Sequence, residues 1–341
     1  MTMTRFQRFV MFVFLLVGCG SSKERVDTPQ PNFSANATPS AVASADPTTT
    51  ATPTASATQT APPAVVWKPF LYKVSGTKPS FLFGTIHVPD DRLAMPAQSL
   101  KDAFHDAEEV VTELPLDDIS SAHAMQLAGM PQGKSLTSEL PKPVYERLKK
   151  VLNDKGLGMA MPMMEHMKVW AVAIQIGLLD HLQELMGGKK PIDVVLHDRA
   201  KELGKKTSGL ETEAEQLTVF DTLSKDEQSR FLEEALDERD ADITAHHDSF
   251  SQLMNLYLAG DETPLLTQLN AGFDLKKPLD VKIMKRLITD RNKVMTDRIS
   301  AKLKASPSRT YLFAVGSAHL LGDDGIVAQL KKKGLTVERV Q

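Results

Sequence analysis

Phe81-Leu82-Phe83-Gly84-Thr85-Ile86-His87 and, far downstream, Leu312-Phe313-Ala314-Val315-Gly316-Ser317-Ala318-His319 are two related stretches of this chain. Each is a short apolar run that stops at Gly-x-x-His. Runs of this length are typical of buried strands, and a glycine at the strand end lets the backbone turn without interference from a Cβ atom. We therefore expect each run to deliver an imidazole to the end of a strand.

The two histidines are predicted to meet. In open α/β sheets, ligands bind in the crevice beyond the carboxyl ends of the strands. If the two apolar runs are parallel strands of one sheet, then His87 and His319 lie at the same edge of it. The sequence thus predicts a mixed α/β fold with a central sheet and a histidine pair at one end.

A third strand is expected at Glu109 to Pro115, after a helix from Pro96 to Ala107. This β-α-β order favours parallel pairing with the first Gly-x-x-His strand. Glu113 then falls at the same end of the sheet as His87. One interpretation is that its carboxylate belongs to a functional site at that edge. The alternative is an ordinary solvated loop residue that closes a strand.

The middle of the chain is predicted to be a large helical region flanking the sheet. A helix over Met163 to Met186 is apolar on all sides, so we expect it to be buried, with its methionines as core filler. The helix from Pro191 to Leu203 carries Asp193 in its first turn, as a candidate ligand or as a simple complement to the helix dipole. Glu211 precedes a capping box, Thr212-x-x-Glu215, and occupies a strand-end position like that of Glu113.

Arg291 interrupts an apolar stripe. In the helix predicted from Pro278 to Leu303, it lies three residues after Ile288 and four before Met295. A guanidinium that faces a core must find a carboxylate or an anionic ligand, because an unpaired buried charge costs several kcal/mol. The alternative is that the side chain extends to solvent.

The N-terminal segment reads as a targeting signal. Arg5 and Arg8 precede an apolar run, and small residues lead to Cys19, the only cysteine in the chain. The segment resembles a bacterial lipobox, which implies that residues 1–19 are a lipoprotein signal peptide and that Cys19 is lipidated. The alternative is an ordinary signal peptide with an incidental cysteine. By the same resemblance, Gly20 after the cysteine favours the outer membrane.

Residues 20–66 are dominated by Ala, Thr, Pro and Ser. Such a composition buries too little apolar surface to offset the entropy of ordering, so a disordered linker is expected here. The folded domain is predicted to cover residues 67–341. The charge of the whole chain is nearly balanced, with 40 Lys and Arg against 43 Asp and Glu, and we find no basic stripe interleaved with aromatics. Nucleic acid is therefore not an expected partner.

Several motifs along the predicted domain carry a family resemblance. They are Leu71–Gly76, Leu82–His87, Thr112–Leu114, Asp193, Gly209–Thr212 with Gln216, Arg291-Asn292, and Gly316–Leu320 with Gly322 and Gly325. On these motifs, which occur in the family's order, the sequence resembles the TraB/GumN family. That family is related to the TIKI proteins, described as metal-dependent proteases that act outside the cell, and more distantly to erythromycin-esterase-like hydrolases and haem-binding ChaN-like proteins. The resemblance implies a mixed α/β fold with both Gly-x-x-His motifs at one site.

The chemical hypothesis is a divalent metal held by His87 and His319, with Asp193 as a further candidate ligand. Glu113 is either another ligand or the base that activates a bound water. Arg291 balances Glu113 or Glu211, or stabilises an oxyanion. The chain has no Gly-x-Ser-x-Gly elbow and no second cysteine, which leaves a serine or cysteine nucleophile without support.

Two functions remain open at this point. The first is a metal-dependent hydrolase, in particular a peptidase, acting on a peptide or small-molecule substrate. The second is an envelope lipoprotein that binds a metal, haem or a small ligand without turnover. A binding site needs only the two histidines, whereas activation of water also needs a carboxylate and benefits from an arginine, so the presence of Glu113 and Arg291 favours the enzyme. This preference rests partly on family analogy.

Overall fold

The computed structural model describes residues 67–94, 96–179, 189–245 and 249–340. The predicted signal peptide, Cys19 and the predicted linker over 20–66 lie outside these residues. Trp67, where the folded domain was expected to begin, is buried and packs its ring edge-on against Phe83.

A six-stranded mixed sheet forms the centre of the molecule, in the order β4-β3-β5-β2-β1-β6. The strands are β1 (Phe70–Val74), β2 (Ser80–Thr85), β3 (Glu109–Thr112), β4 (Lys206–Gly209), β5 (Tyr311–Gly316) and β6 (Val337–Arg339). The strands β2, β5, β3 and β4 run parallel, while β1 pairs antiparallel with both β2 and β6. The prediction of a mixed α/β fold is confirmed.

Helices make up most of the rest of the described chain. They are α1 (Gln98–Asp106), α2 (Asp118–Ala128), α3 (Leu136–Glu139), α4 (Lys142–Asp154), α5 (Met161–Met164), α6 (Val169–Leu178), α7 (Ile192–Glu202), α8 (Glu213–Asp221), α9 (Lys225–Ala245), α10 (Ser249–Ala259), α11 (Glu262–Asn270), α12 (Pro278–Met284), α13 (Arg291–Ala305), α14 (Ser317–Leu320) and α15 (Ile326–Lys332). Short 3-10 turns occupy Asp91–Leu93 and Gly158–Ala160, and a π-helical turn over Lys285–Asp290 joins α12 to α13.

The two apolar runs are the central strands of the sheet. All six residues of β5 are buried, and Leu82 and Phe83 of β2 are fully buried as well. A parallel strand that is covered on both faces reads as a continuous apolar run rather than an alternating one. The two strands pair directly, with Gly84 opposite Val315. The segments that follow them therefore leave the sheet side by side.

The predicted pairing of the first Gly-x-x-His strand, which is β2, with the strand at Glu109, which is β3, is wrong. The strand β3 pairs with β4 on one side and β5 on the other, so β5 separates it from β2. The crossover through α1 does keep β3 parallel to β2, and the ends of both strands still lie at the same edge. The intervening strand, β5, comes about 200 residues after β3 in the chain, so the β-α-β order of the first strands did not indicate its position.

The expected helix from Met163 to Met186 is shorter than predicted within the described residues. Lys168 adopts extended backbone angles and separates α5 from α6, and residues 180–188 lie outside the description. The expectation that its methionines fill the core is wrong for Met163, whose surface is 63% exposed, whereas Met164 is buried. The helix α5 has only four residues and presents only part of its circumference to the core, so its other side chains face solvent.

Two local features place side chains at the carboxyl edge of the parallel strands. The predicted capping box is present at the start of α8, where Thr212 and Glu215 exchange hydrogen bonds. It fixes the chain directly after Glu211. The π-helical turn ends at Asp290, and the first two residues of α13, Arg291 and Asn292, are both buried. A π turn widens the helix locally and changes which residues face the core, and such turns are frequent at functional sites.

None of the helices in the described part of the chain has both the length and the apolar character that crossing a membrane requires.

Candidate functional site

His87 lies two residues beyond the end of β2 and is 4% exposed. Its Nδ1 atom is 3.2 Å from Oδ2 of Asp193, which is buried in the first turn of α7. Its Nε2 atom is 3.5 Å from Oε1 of Glu113. Asp193 thus contacts the ring nitrogen that faces away from Glu113. A carboxylate in this position orients the imidazole of His87.

Glu113 follows β3 directly and is the centre of the cluster, with 1% of its surface exposed. Its Oε1 atom accepts a hydrogen bond of 2.6 Å from the backbone N–H of Gly316, at the end of β5. Its Oε2 atom accepts from Nη2 of Arg291 at 2.6 Å and from Nε2 of Gln216 at 3.1 Å. The carboxylate is therefore held by groups from three different parts of the chain.

Arg291 has two buried carboxylate partners. Its Nη2 atom donates to Oε2 of Glu211 at 2.7 Å as well as to Glu113, and its Nε donates to the same Glu211 carboxylate at 3.0 Å. The guanidinium is 5% exposed, so it does not extend to solvent. The remaining contact, from Nη1 to the carbonyl of Leu287, is 3.3 Å. The donors of Arg291 are thus directed at the two glutamates and at the backbone.

His319 lies in α14, immediately after β5, and is 1% exposed. Its Nδ1 atom is 2.7 Å from Oδ1 of Asn292. Its Nε2 atom is 3.9 Å from Oε1 of Glu113, the same oxygen that faces Nε2 of His87. The structure therefore brings together His87, His319 and Glu113, with Asp193, Arg291 and Glu211 around them.

The pKa values of the two imidazoles are displaced in opposite directions. Burial on its own lowers the pKa of His87, but the carboxylates of Asp193 and Glu113 outweigh it and raise that pKa to about 10. Burial and the nearby guanidinium of Arg291 lower the pKa of His319 to about 3. Burial raises the pKa of Glu113, yet the guanidinium of Arg291 and the imidazole of His87 more than offset it, and the result lies well below the ordinary range. His87 is therefore cationic at neutral pH in this arrangement, whereas His319 is neutral.

Comparison with known sequences identifies the family of this chain. Residues 70–339 match the TraB/PrgY/gumN family. The chain belongs to the TraB/PrgY/gumN family.

Curated relatives of this TraB/PrgY/gumN chain include proteins named metalloproteases. Metalloprotease TIKI2 of Xenopus tropicalis is 26% identical over 311 residues, which cover 79% of this chain and 59% of the relative. Metalloprotease TIKI1 of Homo sapiens is 26% identical over 312 residues, which cover 79% of this chain and 61% of the relative. The match thus spans less than two thirds of either relative. No solved structure matches the chain.

Gly316 keeps the space among the three central groups clear. A Cβ atom on this residue would lie 3.1 Å from Oε1 of Glu113, 3.2 Å from Nε2 of His87 and 3.6 Å from Cδ2 of His319. Gly84 has a different function, because a Cβ there would come within 3.1 Å of the backbone of Ser317. The glycine of the first motif thus lets the two motifs of this TraB/PrgY/gumN protein pack closely, and that of the second leaves room between the donors.

Gly316→Ala is expected to lower affinity for a divalent metal by more than about tenfold, because the added methyl group occupies the space that the donors share. The loss of stability should stay within about 1–3 kcal/mol, the range for a methyl group forced into a packed region. Titration with Zn²⁺ in competition with a chelator measures the affinity, and urea unfolding measures the stability.

The matched control for this substitution is Gly76→Ala. Its Cβ would lie 3.1 Å from the carbonyl oxygen of Lys78, in the turn between β1 and β2 at the opposite end of the sheet. Equal losses of metal affinity in the two variants would contradict the role given to Gly316.

Sequence reasoning missed three residues that support the cluster. Asn292 holds His319, and Gln216 donates to Glu113. The hydroxyl group of Tyr257, which is fully buried in α10, donates to the carbonyl oxygen of Gly84 at 2.8 Å. Asn292 and Gln216 belong to the motifs that resemble the family, so the resemblance could have indicated that they lie at the site. Tyr257 lies in an amphipathic helix and carries no such signal.

Proposed function

We propose that this chain is a metal-dependent hydrolase, and specifically a peptidase, with His87, His319 and Glu113 as the residues that hold the metal. The observation that carries the proposal is that Nε2 of both imidazoles faces one carboxylate oxygen, at 3.5 Å and 3.9 Å. Two imidazoles and a carboxylate are a common donor set for Zn²⁺ in hydrolases. The names of the curated relatives support the same reading.

The donors fit a divalent cation in type and direction. The nitrogen of each imidazole that faces away from Glu113 is held by a polar side chain, Asp193 or Asn292, as is usual for metal-binding histidines. Within the described residues, no three His, Cys, Asp or Glu side chains have the spacing of a formed metal site. We therefore expect small movements of these side chains to accompany binding.

The charges of the cluster favour a divalent cation. Glu113, Glu211 and Asp193 contribute three negative charges, and Arg291 contributes one positive charge. His87 is cationic in the metal-free arrangement, whereas a metal ligand must be neutral, so metal binding releases this proton and leaves two negative charges in a region where each of these residues is at least 95% buried. Uncompensated charge at such a depth is costly, and a divalent ion offsets it completely.

The protein's own residues prepare the site. Gly316 N–H and the guanidinium of Arg291 hold Glu113 from both sides, and Arg291 balances Glu211 at the same time. A divalent metal held by His87, His319 and Glu113 would lower the pKa of a bound water and polarise a substrate carbonyl group. Because the donors of Arg291 are directed at the two glutamates, we assign it the task of charge balance rather than of oxyanion stabilisation.

The test uses the purified full chain. Metal analysis comes first, followed by cleavage of a peptide library with and without a chelator, and by restoration with added Zn²⁺. We expect stoichiometric metal and cleavage that the chelator abolishes. Bound metal without turnover of any peptide would favour the alternative of a binding protein for a metal or a small ligand.

Glu113→Gln distinguishes a ligand from a base. Because Oε1 of Glu113 faces both imidazoles, we expect this variant to lose metal and turnover together. A base predicts retained metal and lost turnover. Glu213→Gln is the matched control, since Glu213 is also a buried glutamate but contacts His123 instead of the cluster. Metal content and initial rates, measured in parallel, decide between the two roles.

We also propose that the protein is an envelope lipoprotein, anchored at the outer membrane through Cys19, with residues 20–66 as a tether. Cys19→Ser is expected to release it from membranes or leave it unprocessed, because each buried methylene of a lipid chain contributes about 0.8 kcal/mol. Fractionation after carbonate extraction measures the effect. A variant that stays fully membrane-bound would contradict the proposal.

A further inference from the structure

Asn292 connects His319 to a neighbouring loop through both ends of its side chain. The residue is 1% exposed and is the second residue of α13, directly after Arg291. Its Nδ2 atom donates to the carbonyl oxygen of Asp324 at 2.9 Å. Its Oδ1 atom is 2.7 Å from Nδ1 of His319.

The hydrogen-bond partners determine which way the amide points. A backbone carbonyl group can only accept, so the amide atom that faces Asp324 must be the NH₂ group. The atom that faces His319 is then the amide oxygen, which also can only accept. The proton of this hydrogen bond must therefore come from Nδ1 of His319.

The tautomer of His319 follows from this assignment. A neutral imidazole carries one N–H, and if that is on Nδ1, then Nε2 has a lone pair. Nε2 is the atom that faces Oε1 of Glu113 at 3.9 Å. We infer that Asn292 is a positioning residue that holds His319 in the Nδ1-protonated tautomer and so directs the Nε2 lone pair at the metal position. This inference rests on the function proposed above.

An amide suits this role better than a carboxylate. Asp193 orients His87 in a similar way, but it adds a negative charge to a cluster that already holds Glu113 and Glu211. Asn292 provides the same acceptor without any charge. The two imidazoles are thus held by partners of different charge, and only the partner of His319 also has a donor that links it to the loop.

The carbonyl oxygen of Asp324 has a second donor, which provides a control. Nε2 of Gln329, in α15, donates to it at 2.8 Å. Gln329→Ala therefore removes one hydrogen bond from the loop and leaves the contact between Asn292 and His319 in place. Any effect that arises merely from loosening of the loop should appear in this variant.

The experiment reads the tautomer directly in the metal-free full chain. Histidines are labelled with ¹⁵N, long-range ¹H–¹⁵N spectra are recorded, and the signals of His319 are assigned by their absence in His319→Gln. We expect a protonated Nδ1 and an unprotonated Nε2 in the wild type. Asn292→Ala should populate the other tautomer and weaken Zn²⁺ binding about 10–100-fold, the usual cost of losing a group that orients a ligand.

Two further variants separate the role from general structure. Asn292→Asp keeps the acceptor for Nδ1 and loses the donor to Asp324, so it should retain the wild-type tautomer. Gln329→Ala should retain both the tautomer and the Zn²⁺ affinity. If Asn292→Ala lowers stability too far, the wild-type spectrum and that of Asn292→Asp still decide the matter.

The inference is overturned by a wild-type His319 that is protonated at Nε2, or by an Asn292→Ala protein that keeps the wild-type tautomer. Failure of the proposed function gives a different result, namely a wild-type protein that does not bind Zn²⁺. In that case the spectra still show whether Asn292 sets the tautomer.

Discussion

Alanine at His87 or at His319 is expected to remove most of the divalent metal from the protein, and alanine at both should cost little more than either change alone. Each substitution deletes one donor of a site with few donors, so affinity for Zn²⁺ should fall by about a hundredfold or more, beyond the loss seen for groups that only orient ligands. Once one donor is gone the other has little left to contribute, because residues that act as a unit are strongly non-additive.

The measurement is metal content after gel filtration, together with chelator competition. His197→Ala is the matched control, since His197 is also buried but lies in α7 and pairs with Asp198. Independent, additive losses from the two substitutions would mean that His87 and His319 do not share an ion, and the proposed site would have to be abandoned.

Arg291→Met is expected to reduce the free energy of unfolding by about 3–5 kcal/mol, which is the usual cost of breaking a buried ion pair from one side. The methionine has a similar volume but removes the guanidinium that lies between the carboxylates of Glu113 and Glu211. Urea unfolding of the metal-free protein measures the effect. Adding Glu211→Gln should recover part of the loss, because it removes one of the two stranded charges.

The control for Arg291 lies on the same helix. Arg298 pairs with Glu215 at 2.6 Å, but the two side chains are 38% and 42% exposed. Arg298→Met should therefore cost only about 1–2 kcal/mol, the sum of an exposed ion pair and one hydrogen bond from Nη1 to the carbonyl oxygen of Leu210. Arg291→Lys should fall between the two, since an ammonium group keeps the charge but cannot span both carboxylates as the planar guanidinium does. Equal losses from Arg291→Met and Arg298→Met would contradict the role of the buried cluster.

The strands that carry the histidines were predictable from local sequence. Continuous apolar runs that end in glycine indicate buried strands, and β2 and β5 are parallel neighbours at the centre of the sheet. Arg291 was recognisable because a charge interrupted an apolar stripe and required a partner. In both cases the requirement, burial of an apolar strand or pairing of a buried charge, can be recognised from a few neighbouring residues.

Features set by distant parts of the chain were not predictable in this way. The insertion of β5 between β2 and β3 depends on a pairing that no local pattern indicates. The π-helical turn before Arg291 packs against α8, and nothing in the composition of Lys285–Asp290 indicates it. Amides such as Asn292 are ordinary on helix surfaces, so their burial becomes evident only in three dimensions.

The position of β5 has a consequence for how the protein is made. The β1–β2 hairpin is local in sequence, but β5, near the end of the chain, is the strand that joins this hairpin to β3 and β4. Because its partners lie so far away in sequence, this closure should be slow. A chain that is interrupted before Tyr311 lacks both the joining strand and His319, so it has neither the complete sheet nor the histidine pair. If the proposed function holds, a fragment that ends before Tyr311 is therefore inactive, and hydrolysis begins only after β5 has inserted between β2 and β3.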